Sequence, residues 1–105
     1  MELLVEAYRV AQRLPEIERY GLASQLRRAS VSIPANIAEG FGRAARGDYL
    51  RHLSIAIGSL RETQTLLEVI VLLEYLPSSA TVEVESAARR TAYLLRRLQR
   101  SLAPS

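Results

Sequence analysis

A chain of 105 residues is one domain by length and can bury roughly two-thirds of the surface its unfolded form exposes, so it folds with little margin. Its composition is globular, 49% hydrophobic and 24% charged, and the lack of cysteine excludes a disulfide framework and a thiolate metal site. The net charge is +3, every basic residue is arginine, and residues 1–18 hold four acids and two arginines where 84–105 hold one acid and five arginines. That asymmetry suits either an anionic partner or a last helix whose C-terminal turns favour cations through the macrodipole.

The start, MELLVEAYRV, carries acids and no basic n-region, so it does not read as a signal peptide. The longest apolar run, VIVLL (69–73), is far short of a membrane span. A cytoplasmic protein with no membrane partner is expected.

Low glycine and abundant Ala, Leu, Arg and Glu favour helix throughout. The first predicted helix, 2–14, places Leu3, Leu4, Ala7, Val10, Ala11 and Leu14 at helical spacing, and Pro15 ends it. The second, 21–45, steps by four and three through Leu22, Leu26, Ala29, Ile33, Asn36/Ile37 and Gly40. The third starts near Asp48, a good N-cap, and continues to Pro77 with a stripe of Leu50, Leu53, Ile57, Leu60, Gln64, Leu67 and Val71. At about 1.5 Å per residue it would be about 43 Å long. The fourth, 81–102, sets Val84, Ala87/Ala88, Thr91, Leu94, Leu98 and Leu102 inward, before Ala103-Pro104 stops it. Short connections make neighbours antiparallel. The expected fold is all-α: residues 1–105 form a single antiparallel up-down four-helix bundle.

A helix inside one small bundle needs one apolar stripe, and helix two has more. Ala23, Ser30, Val31, Pro34, Ala38 and Phe41 cover the side away from its first stripe, leaving Gln25, Arg28, Ser32, Glu39 and Arg43 as the polar sector. Helix three ends in LLEVIVLL (66–73), apolar in nearly every direction except at Glu68. The surplus implies a second buried surface, most simply an interface between identical chains. The alternative is a compact monomer in which helices two and three are the central pair.

Little points to catalysis. The single histidine, His52, is expected at the surface or rim, and without a second histidine or a cysteine ordinary zinc sites are out of reach. The repeated Glu-x-x-His of di-iron bundles and the Gly-x-Ser-x-Gly elbow are both absent. GFGRAARG (40–47) matches neither G-x-G-x-x-G nor the P-loop, and follows a helix rather than a strand. It is expected to turn the chain between helices. No catalytic residue, cofactor or metal is expected, so the chain is not read as an enzyme.

The stretch RRASVSIPANIAEGFGR (27–43) sets a proline and an asparagine inside a helix. Pro34 removes one backbone donor and crowds the carbonyl of Ser30, at a cost of roughly 3 kcal/mol in a regular helix interior. The stripe continues in phase through Ile37 and Gly40, so the helix should bend rather than end. Asn36 lies on the inward stripe, where an unpaired amide would cost about 1–3 kcal/mol, so it must be bonded. It either fixes register or orients a ligand.

YGLASQLRRASVSIPANIAEGFGR (20–43), then YLRHLSIAIGSLRETQTLL (49–67) and LEYL (73–76), resemble the four-helix-bundle family named after proteins encoded in 23S rRNA intervening sequences. The match is to the pattern R-R-A-x-x-S-I-P-x-N-I-A-E-G, followed by A-x-G-S-L-x-E, over more than half the chain. Arg27, Arg28, Ser32, Pro34, Asn36, Glu39, Gly40, Gly58, Ser59 and Glu62 occupy the motif positions. The resemblance implies a small bacterial protein, four-helix monomers in a closed homo-oligomeric ring of five, no enzymatic activity, and a link to nucleic acid. The accessory protein of diversity-generating retroelements, which pairs with a nucleic-acid-processing enzyme, is similar in fold. This chain departs from the family in a shorter first helix without the customary tryptophan, and in the absence of lysine.

Two functions follow as expectations: a non-enzymatic scaffold or accessory factor whose partner is itself, or a nucleic-acid (RNA or DNA) backbone-binding protein. For the second, Arg89, Arg90, Arg96, Arg97 and Arg100 are the densest basic supply, spread over more than one face of helix four. Arg27 and Glu62 fall among apolar neighbours, so they are expected to pair across the helix pair or a subunit interface, with Arg28–Glu39 as a second pair. The alternative is that Arg27 reaches solvent past Val31 and Glu62 meets only water.

Overall fold

A computed structural model describes residues 1–43 and 45–102. They form α1 (Glu2–Gln12), α2 (Leu22–Phe41), α3 (Arg46–Leu72) and α4 (Val82–Leu102), with single 3-10 turns at Glu16–Glu18 and Ser78–Thr81. No strand occurs among the described residues. The bundle measures 45 × 23 × 19 Å, its long axis set by the 27 residues of α3. The Ala103-Pro104 stop predicted after α4 lies outside the described residues.

The four predicted helices are present, and the differences lie at their ends. α1 and α2 stop at Gln12 and Phe41, short of 14 and 45. α3 starts from Ala45 as N-cap, which puts Asp48 in its first turn, where its charge suits the positive end of the helix. The early stop of α3 at Leu72 has a specific cause. Glu74 takes a left-handed φ of 62°, its N–H donates to the Val71 carbonyl at 2.9 Å, and Tyr75 N–H donates to the Ile70 carbonyl at 3.1 Å. This paired closure is a Schellman cap, normally carried by glycine or asparagine. With a glutamate there, the sequence gives no stop signal before Pro77.

The inward faces are close to those predicted, with two rotations. On α3 the buried residues are His52, Leu53, Ala56, Leu60, Thr63, Leu66, Leu67 and Ile70, so Ile57, Gln64 and Val71 are only half-buried. On α4 the sequence reading placed Leu94 inward, but Leu95 is the buried residue and Leu94 is 62% exposed. The adjacent leucines serve the 3.6-residue period equally well, and packing decides between them.

α2 and α3 form the central antiparallel pair, with α1 against α2 and α4 against α3. α2 continues through Pro34, as expected. Its first turn is held from outside the helix: Glu18 Oε1 accepts the Leu22 N–H at 3.0 Å and Glu18 Oε2 accepts the Tyr75 hydroxyl at 2.8 Å. The Leu22 N–H, and then the Tyr75 hydroxyl, hold the Glu18 carboxyl below its ordinary range, and the same contact pushes the Tyr75 phenol up. One carboxylate thus fastens the start of α2 to the end of α3.

Glu74→Gly removes the left-handed strain while keeping the cap. It should stabilise the chain by about 1 kcal/mol in urea unfolding. A loss of stability would mean that the Glu74 side chain outweighs its backbone.

Candidate functional site: a polar seam between α2 and α3 and an arginine face on α4

Four of the motif residues, Ser32, Asn36, Gly40 and Ser59, converge where α2 crosses α3. Ser59 Oγ donates to Ser32 Oγ at 2.7 Å, and Asn36 Nδ2 donates to both the Ser32 carbonyl (2.8 Å) and Ser32 Oγ (3.0 Å). With its NH₂ turned to Ser32, Asn36 presents Oδ1 to His52 Nδ1 at 3.1 Å. The imidazole must therefore donate from Nδ1, which leaves Nε2 as an acceptor in the neutral ring. Asn36 is bonded, as required, and its partners make it a register device rather than an open ligand group.

His52 corrects the sequence reading. It is not at the surface or rim but only 8% exposed. The reason is Gly40, buried on α2, where an added Cβ would lie 3.3 Å from both His52 Cβ and Tyr49 Cδ1. The glycine lets the helices approach until the imidazole is covered. Nearby, Phe41 meets the Tyr49 ring edge-on at 5.1 Å, and burial pushes the Tyr49 phenol up. His52 Nε2 and Tyr49 Oη are buried with no hydrogen-bond partner among the described residues.

The expected ion pairs do not form within the chain. Arg27 sends its guanidinium toward the Arg19 carbonyl, at 3.4 Å, and Glu62 is exposed on α3. Helical side chains lean toward the N-terminus, which carries Arg27 along the axis to the Arg19 carbonyl. Glu39 pairs with Arg43 at 3.0 Å one turn along α2, in place of Arg28. Gly58 is exposed in mid-helix, and apart from the backbone of its own helix nothing among the described residues lies within 4 Å of where its Cβ would be.

Arg89, Arg90, Arg96, Arg97 and Arg100 are all exposed on α4. They divide into two faces. Arg89, Arg96 and Arg100, at i, i+7 and i+11, share one, while Arg90 and Arg97 share the other with Tyr93. Arg90 is taken by Glu2 of α1, and Arg97 lies over the Tyr93 ring, 5.8 Å from its centroid. Sequence reasoning missed the Glu18–Tyr75 and Glu2–Arg90 contacts, since each joins residues more than 50 positions apart. The His52 contact had a readable signal: Gly40 and His52 flank one helix turn-around, where a missing side chain admits a neighbour.

No group of three or more His, Asp or Glu suited to a metal occurs among the described residues, and no helix among them is long and apolar enough to cross a membrane. If the Asn36–His52 contact carries register, a double-mutant cycle with Asn36→Ala and His52→Ala should show a coupling of about 0.5–3 kcal/mol. Additive losses would reduce the seam to independent packing.

The profile of the family described as 23S rRNA-intervening sequence protein matches residues 1–97. No curated protein matches the chain. Among solved structures, it is similar to a protein of unknown function from the S23 ribosomal protein family of Bacteroides thetaiotaomicron, with a TM-score of 0.85 at 25% identity, covering 93% of this chain and 92% of that one. The match, which runs from α1 into α4, establishes that this chain belongs to the 23S rRNA-intervening sequence protein family.

Proposed function

We propose that the chain is a non-enzymatic scaffold or accessory factor that works as a closed homo-oligomer, a ring of five by its family resemblance. The observation that carries this reading is Gly58. An exposed glycine in mid-helix costs roughly 0.5–1 kcal/mol relative to alanine, and here no described neighbour outside its own helix lies within 4 Å to require it. A second backbone passing close to α3 gives it a reason. The surrounding surface fits such an approach: Ile55 and Gly58 face outward on α3, and Val31, Ala35 and Ala38 on α2. Val31 and Ala38 are among the residues with which helix two exceeded the needs of one bundle, whereas Ala23 and Ser30 of that surplus are buried within the chain. Arg27 and Glu62, unpaired with each other inside the chain, remain available for contacts between chains.

Light scattering tests the contact. The native chain should have a mass several times 11.7 kDa, and Gly58→Leu should shift it to smaller species without loss of helix by circular dichroism. Gly40→Ala should instead lower the melting temperature, because its Cβ would press on His52 and Tyr49 at 3.3 Å. A native mass of one chain, or a Gly58→Leu variant that assembles normally, rejects the reading.

A second reading, nucleic-acid backbone binding, is favoured by one observation. Arg89, Arg96 and Arg100 point the same way on α4, and none has an ion-pair partner among the described residues. Replacing all three by glutamine should weaken binding to RNA or DNA alike and reduce the slope of log affinity against log salt by about two or three. An unchanged slope removes this face as the contact.

A further inference from the structure

The charge of the bundle is polarised along its length. The end formed by the first 3-10 turn, the close of α3 and the start of α4 holds Glu16, Glu18, Glu68, Glu74, Glu83 and Glu85 against Arg13, Arg19 and the Arg27 guanidinium that reaches the Arg19 carbonyl. The opposite end holds Arg43, Arg46, Arg51, Arg96, Arg97 and Arg100 against Glu39 and Asp48. Each end also exposes apolar surface.

At the acidic end, Val71, Leu72 and Thr81 line a groove of about 260 Å³ between α3 and α4, with Glu68 and Glu85 beside them. Leu72 is 77% exposed, and neither carboxylate has an ion-pair partner among the described residues. Midway along α4, toward the basic end, the exposed apolar surface follows from the short first helix. α1 has 11 residues and α4 has 21, so at about 1.5 Å per residue α1 covers only about half of α4. The Glu2–Arg90 pair marks where α1 gives out. Beyond it, on the flank α1 leaves open, Tyr93 and Leu94 are 60% and 62% exposed, with Arg97 on the same face.

From these two surfaces we infer that the acidic groove of one copy receives the Tyr93–Leu94–Arg97 face of α4 from a second copy, a head-to-tail contact. The groove offers apolar walls with unpaired carboxylates; the α4 face offers an aromatic, a leucine and a guanidinium. The two lie about 12–18 Å apart along the rigid α4, so one molecule cannot join them within itself. Arginine suits the contact because its planar fork bonds a carboxylate through two parallel hydrogen bonds. A contact between two different surfaces that does not close generates open rows of copies. It uses neither Gly58 nor the outer face of α2, so it adds to the ring contact and does not depend on it.

Sedimentation velocity at about 0.01 M and about 1 M salt tests this, since the Debye length falls from about 30 Å to about 3 Å between them. The native chain should form species at low salt that are integer multiples of the high-salt species. Glu68→Arg with Glu85→Arg should abolish them, as should Arg97→Glu, and mixing the two variants should restore association as a pair. The Gly58→Leu variant should keep the salt-dependent step, now in multiples of its own smaller unit, which separates failure of this contact from failure of the ring. Equal mass at both salts, or variants that associate like the native chain, overturns the inference. So does an acidic groove that ignores a second copy yet binds a synthetic basic amphipathic peptide, which would assign the groove to a foreign partner.

Discussion

The close approach of α2 to α3 is the constraint from which the rest of the bundle follows. It rests on a missing side chain at Gly40 and on short ones at Ser32 and Ser59, which bring two backbones near enough for a hydroxyl-to-hydroxyl bond of 2.7 Å. Asn36 and His52 then fill the space with a bond that only one register satisfies. A slide of one helix turn would leave Asn36 Oδ1 and His52 Nδ1 without each other, each a penalty of about 1–3 kcal/mol when kept from water. For a chain this small, that penalty is a large part of the total stability. α1 and α4 pack on the flanks of a pair already fixed.

Fixing the pair also decides what stays outside. The inner surfaces of α2 and α3 are used up by each other and by the flanking helices, so the remaining apolar positions, Val31, Ala35, Ala38, Ile55 and Gly58, turn outward together. The motif thus divides into two parts with different work. Ser32, Asn36, Gly40 and Ser59 hold the helix pair, whereas Gly58 and Glu62 face away from it.

Much of this was legible in the sequence. The stripe through Leu22, Leu26, Ala29, Ile33 and Gly40 gave the inner face of α2. Of the surplus beyond it, Val31, Ala38 and Phe41 are on the outer face, while the small Ala23 and Ser30 are buried against the neighbouring helices. Pro34 was read correctly as an interruption that the helix survives, because the stripe keeps phase across it. His52 was misread because a lone histidine carries no sign of its environment; its burial depends on a glycine on another helix. Leu94 and Leu95 could not be separated by periodicity, and the end of α3 was hidden by a glutamate in a conformation that usually calls for glycine. The pair expected between Arg27 and Glu62 does not form within one chain, because a helical wheel gives direction around the axis and omits the lean of long side chains along it.

The short α1 has a consequence for how the molecule opens. Near its start, α4 is braced by both α3 and α1; past Arg90 it keeps α3 and loses α1. Backbone amides along a single uninterrupted helix should therefore not share one protection factor. Deuterium should enter the Leu98–Leu102 turns through local opening long before it reaches Val84–Ala88, which exchange only when the core itself comes apart. A contact that covers the Tyr93–Leu94 flank would level that gradient, and the gradient itself reports how far along α4 any neighbour reaches.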